Sequence, residues 1–214
     1  MRRNSSTVVV LPGPAPAEVL AAIGRSMNVA LIRPKDPADD DIHGLEAAAG
    51  ALQQAGRSTS AYALVPADPL AAVAASWQAM WDVSRPEGPV GFEQEAAKAL
   101  ATWRAGRFEL PDYYLVLAAG PIGPAGPGEA GDQGPDFYLG PLRSARPHRV
   151  AFVAATEPAL QAAGVLQALG SLRHGPWWPG LDEVIEVARR FYPDSLGATG
   201  PVPATPEAGP VRAG

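Results

Sequence analysis

Four segments that follow short apolar runs carry the side chains best suited to chemistry: Leu11-Pro12-Gly13, Arg33-Pro34-Lys35-Asp36, Pro66-Ala67-Asp68 and Ala155-Thr156-Glu157. Arg33 and Lys35 offer cationic donors to an anion. Asp36, Asp68 and Glu157 offer carboxylates to a proton or a cation, and Thr156 adds a hydroxyl. If the apolar runs are parallel strands of one sheet, all four segments lie at its carboxyl end, where open α/β sheets bind ligands. The expected ligand there is anionic or phosphate-bearing. A plainer account competes with this one: Asp68 and Thr156 cap helices, each worth ~1 kcal/mol whatever the function, and Arg33 with Lys35 belongs to a solvated loop.

Two further groups stand out. Asp36, Asp39, Asp40 and Asp41 precede His43 and Glu46, which share a helix face at i, i+3. Oxygen and imidazole groups at that density suit a divalent cation, but the ligand spacing is irregular, so we expect no metal and an acidic loop that favours a helix N-terminus instead. In the segment Arg173-His174-Gly175-Pro176-Trp177-Trp178-Pro179-Gly180, two adjacent indoles lie between helices. Exposed, Trp177 and Trp178 with His174 would anchor a partner; buried, they close the core like a lid. His148 has no acid or nucleophile near it in sequence.

Several classes are disfavoured. No G-x-x-x-x-G-K-[ST] or G-x-G-x-x-G phosphate cradle follows the first strand, and no G-x-S-x-G elbow marks a hydrolase. The absence of cysteine removes disulfides, thiolate nucleophiles and Cys-ligated metals. A net charge of -5 leaves no basic footprint for nucleic acid. Lys35 and Lys98 are the only lysines. The apolar stretch Val8 to Leu11 stops at Pro12-Gly13, too short for a signal core or a membrane span, so a cytoplasmic protein is expected.

The elements that must position these residues follow from periodicity. Strands are expected over Thr7–Leu11, Asn28–Arg33, Ala61–Val65, Tyr113–Ala118 and Arg149–Ala154, with a short edge strand over Phe137–Leu142. Between them, apolar residues recur at helical spacing: Val19, Leu20 and Ile23; Leu45, Ala48, Ala49 and Leu52; Leu70, Val73, Ala74, Trp77 and Trp81; Phe92, Ala96, Ala99, Leu100 and Trp103; then the stretches Leu160–Leu172 and Leu181–Phe191. Asp68 is expected to cap a helix beginning at Pro69. Tyr113 and Tyr114 should face opposite sides of the sheet, one inward and one outward.

Strand and helix alternate, and three junctions run from an apolar strand through a short turn to a Pro-initiated helix at Pro16, Pro69 and Pro158. That pattern predicts a three-layer α/β fold with a mainly parallel sheet of about five strands and helices on both faces. Residues 1–192 are expected to form a single domain with a mobile loop over about 119–135, and 193–214 a disordered tail rich in Pro, Gly and Ala. With 23 glycines and 24 prolines, more than a fifth of the chain suits loop or tail. With no catalytic motif or cofactor signature, the leading expectation is a non-catalytic interaction or regulatory domain with a protein partner or a second copy of itself. The rival is an enzyme or small-ligand binder using Arg33, Lys35, Asp36, Asp68, Thr156 and Glu157.

Overall fold

Three consecutive buried valines, Val8, Val9 and Val10, make up most of strand β1 (Thr7–Val10). Successive strand residues point to opposite faces, so this strand needs cover on both sides. The computed structural model, which describes residues 6–13, 15–34, 41–80, 88–118, 137–154 and 157–191, supplies that cover. Strands β2 (Val29–Leu31), β3 (Tyr62–Val65), β4 (Tyr113–Ala118) and β5 (Val150–Ala154) join β1 in one sheet of order β2-β3-β1-β4-β5, with every neighbouring pair parallel. Asp112 ties the sheet's amino end: its carboxylate accepts the Val8 amide at 2.7 Å, beside the point where β4 begins to pair with β1.

Helices α1 (Ala17–Gly24) and α6 (Pro158–Gly170) cover one face, packing Val19, Ile23, Val165 and Leu169 with Val9, Leu64, Leu115 and Leu117. The other face carries α2 (Asp41–Ala55), α3 (Ala71–Ala79), α4 (Gly88–Arg104) and α7 (Leu181–Arg189), whose Leu52, Val73, Phe92 and Val184 meet Val8, Val10, Val65 and Val116. This is the expected three-layer α/β arrangement, with all five strands parallel. Two backbone positions hold the turns. Asn28 enters β2 at φ 64°, a conformation its short polar side chain tolerates. Gly13 leaves β1 at φ +103°, where a Cβ would overlap the Leu117 carbonyl oxygen.

Some local expectations are corrected. Phe137–Leu142 is not an edge strand but a π-helical turn over Tyr138–Leu142, continued by the single turn α5 (Arg143–Ala145). Its buried residues, Phe137, Tyr138, Pro141 and Leu142, recur at helical spacing rather than alternating. Helix α3 starts at Ala71, two residues later than expected, because the Asp68 carboxylate accepts the Leu70 amide at 3.0 Å and holds Pro69-Leu70 as a turn. Strand β2 is shorter than expected, and Phe191 lies beyond the end of α7 and is exposed. Tyr113 and Tyr114 do point to opposite faces, yet both are buried because both faces are covered. Trp77 lies in the core and Trp103 packs partly against it. Trp81, the loop over 119–135 and the tail over 193–214 fall outside the described residues.

Helix α6 sits close on the sheet at Gly164, where a Cβ would come within 2.7 Å of Val153 Cγ1. We expect Gly164→Ala to lower stability by about 1 kcal/mol even though alanine is the better helix former. Val153→Ala in the same chain should recover part of that loss in a double-mutant cycle read by urea unfolding. Strictly additive effects would exclude this contact.

Candidate functional site

The sheet order decides which strand-end residues can meet. Arg33 follows β2 and Glu157 follows β5, the two opposite edges, so four strand spacings of about 4.8 Å put roughly 19 Å between their strands. Both side chains are exposed. Lys35, Asp36 and Thr156 lie outside the described residues, as do Asp39 and Asp40 and the side chains of Asp41 and His43. Glu46 is exposed and pairs with Arg107 at 3.6 Å. Among the described residues, no group of three His, Asp or Glu side chains could hold a metal ion. At the β1–β4 junction the Leu117 amide donates to the Pro12 carbonyl at 2.8 Å, and Gly13 lies against the same stretch of β4.

Asp68 alone among the described strand-end candidates is drawn inside. Its carboxyl group is enclosed and accepts three hydrogen bonds, from the Leu70 amide at 3.0 Å, Tyr114 Oη at 3.3 Å and Tyr138 Oη at 2.5 Å. Tyr114 comes from β4 and Tyr138 from the π-helical turn, so three separate segments converge on one carboxylate. Burial pushes the Asp68 pKa up to about 6, opposed by the hydrogen bonds from Tyr138, Leu70 and Tyr114. Burial also raises both phenols well above their ordinary value, and the Asp68 charge adds to the effect. The two tyrosines therefore remain donors, and Asp68 is the group that titrates. Sequence reasoning picked out Asp68 but not its partners; buried phenols seeking an acceptor were the available signal.

The adjacent indoles divide. Trp178 is buried: its Nε1 donates to the Pro111 carbonyl at 2.7 Å, and its ring meets Tyr114 edge-on with centroids 5.7 Å apart. Trp177 is 50% exposed, and His174 is exposed as well. Arg149, itself buried, explains this order. Its guanidinium lies 5.0 Å from the Tyr113 ring centroid and 4.9 Å from that of Trp177. It also donates to the carbonyls of Pro176, Gly175 and Asp112. Arg146 Nε donates to the Trp177 carbonyl and Tyr113 Oη to that of Arg173. Side chains thus satisfy a run of carbonyls that no helix or strand uses, which fixes an irregular segment in place.

Beside this segment a cavity of about 390 Å³ crosses the outer edge of the sheet. Its floor is Val150, Ala151 and Phe152 of β5. One wall is Ala168 of α6 with Ser171 and Leu172 just past its end; the other is Arg143 and His148, with Arg173 at the rim. Gly175 presses on the His148 ring, since a Cβ there would come within 2.9 Å of it. The segment bearing Trp177 and this groove therefore form one continuous surface.

No family model, curated protein or solved structure matches this chain. The enclosed carboxyl can carry a proton near neutrality, and the groove can take an elongated group across a sheet edge.

The Asp68 pKa of about 6 exceeds the ordinary 3.8, so the folded state holds this proton more tightly than the unfolded chain does. The stability gained is complete below pH 3.8 and is lost as pH rises through about 6, a change on the order of 3 kcal/mol. Asp68→Asn keeps the shape and removes the titration. We expect urea unfolding between about pH 4 and pH 7 to show wild type losing stability relative to Asp68→Asn as pH rises; parallel curves would refute the raised pKa.

Proposed function

We propose that this chain is a non-catalytic protein-interaction domain whose contact surface is the rim where the Trp177 segment meets β5. One observation carries the reading: Trp177 is held half exposed on a guanidinium that is itself fixed by three carbonyls, beside a groove. An aromatic side chain ordered in advance loses little entropy on binding, and tryptophan dominates interface hot spots. Exposed Phe152 extends the apolar surface along β5.

The net charge of -5 argues against nucleic acid as the partner. Among the described residues no helix is long and apolar enough to cross a membrane. A chain without cysteine draws no stability from an oxidising compartment, which suits the cytoplasm.

The reading is tested by cross-linked capture from the cells that make the protein, comparing wild type with Trp177→Ala. We expect Trp177→Ala to keep its circular dichroism and to lose at least about tenfold in partner recovery. Trp178→Ala, by contrast, should cost about 3–5 kcal/mol of stability because it empties a core position. Unchanged recovery of every partner by Trp177→Ala, with a strict monomer in light scattering, overturns the proposal.

A second reading, a binder of small anionic ligands at the strand carboxyl ends, requires Asp68 to be protonated, since its charge would repel the ligand; burial, by raising its pKa to about 6, supplies that form. It is tested by a melting screen against phosphate-bearing and carboxylate metabolites. A true ligand at a hundredfold excess over its Kd should add ~2.7 kcal/mol below about pH 6, and Asp68→Asn should keep that gain at about pH 7, where wild type loses it. A flat screen disposes of this reading.

A further inference from the structure

Strand β5 poses a problem that its neighbours do not. It ends the sheet and pairs only with β4, so its outer row of amides and carbonyls has no strand partner among the described residues. Its sequence, Val150-Ala151-Phe152-Val153-Ala154, contains no proline and no charge, the usual devices that keep an edge from recruiting another strand. The opposite edge, β2, exposes only a three-residue strand.

The groove lies on that edge. Its floor comes from β5, and its walls come from both helical layers: α6 on one side, and the α5 and Pro147–Arg149 turns on the other. An extended chain laid there would continue the sheet between the same two layers. The charge of the walls is one-sided. Arg143, His148 and Arg173 line the groove and are exposed, no carboxylate lines it, and none of the three makes an ion pair among the described residues. Elsewhere Arg189 is held by Glu93 and Glu186, and Arg107 by Glu46.

We infer that the free edge of β5 takes up an extended, acidic segment of a partner protein as an added strand, its backbone pairing with β5 and its carboxylates meeting Arg143 and Arg173. This rests on the interaction reading above and names the chemistry of the partner. Strand addition draws affinity from backbone hydrogen bonds and specificity from flanking side chains. A second copy of this chain fits less well, because a two-fold axis at this edge would bring each cationic wall against its own copy.

The test uses the full chain and short blocked peptides alternating valine with glutamate, valine with lysine, or valine with glutamate and N-methylated at every residue, read by fluorescence anisotropy and by amide NMR. The expected result is that the glutamate peptide binds, shifts the amides of Val150 to Val153, and weakens with added salt. Arg143→Glu with Arg173→Glu, both at exposed positions, should weaken the glutamate peptide at least about tenfold and favour the lysine peptide. N-methylation should abolish binding by blocking the ladder.

Several results would overturn the inference: equal binding of the lysine or N-methylated peptide, complete competition by inorganic phosphate at matched concentration, or a dimer whose contacts map to β5. Binding seen only after residues 192–214 are removed would do so as well, since the occupant would then be this chain's own C-terminal segment. If no peptide binds but the double charge reversal still lowers partner recovery, the interaction reading stands and only the acidic-strand chemistry fails. If recovery is also unchanged for Trp177→Ala, both fail.

Discussion

Because all five strands run parallel, no strand can reach its neighbour through a tight turn, and each must be delivered by a crossover that packs on one face or the other. The consequence is that the central strands have no wet face. Val8, Val9 and Val10 are all buried, as are Tyr113 and Tyr114, and Leu115, Val116 and Leu117 after them. Polar chemistry is thereby pushed to the strand ends and the two lateral edges. Asp68 lies past the end of β3, the Trp177 segment at the rim, and the groove along β5.

The two regions with functional character differ in how their polar groups are used. Asp68 sits among three donors, so its hydrogen bonds are made within the fold and join β4 and the π-helical turn to the start of α3. Such convergence gives stability and order, and it leaves little of the carboxylate free for an outside group. At the β5 edge the reverse holds. Cationic side chains and backbone groups stand ready without internal partners among the described residues.

Fold class was legible because apolar runs of strand length alternated with helical stripes, and the stripes on α2, α3, α4 and α7 bury or partly bury the described residues that periodicity selects, Phe191 excepted. The Phe137–Leu142 run misled because Tyr, Phe and Leu suit strands by type, while their spacing was helical. For Tyr113 and Tyr114 the alternation was right and the outward face was wrong, although helices on both faces of a parallel sheet already imply cover for both rings. Asp68 could be named from its place after a strand. Its tyrosine partners are 46 and 70 residues away, and no local pattern couples them. Arg149 carries no local signal of its role, since the sequence places it only at the start of the last expected strand. Only the folded chain brings Tyr113 and Trp177 to its two sides. The groove was invisible for a related reason: it depends on β5 being the last strand, which spatial order decides and sequence order does not.

Neighbouring indoles with opposite fates have a mechanical result. Trp178 is wedged against Tyr114, whose hydroxyl reaches Asp68, while Trp177 next to it covers Arg149 at the surface. Backbone joins the two residues directly, so the segment that seats Trp177 on Arg149 is also the one that sets Trp178 against Tyr114. Two consecutive residues thus moor the rim of this molecule to its interior, one lying on a surface guanidinium and the other on the ring that reaches the carboxyl group beneath.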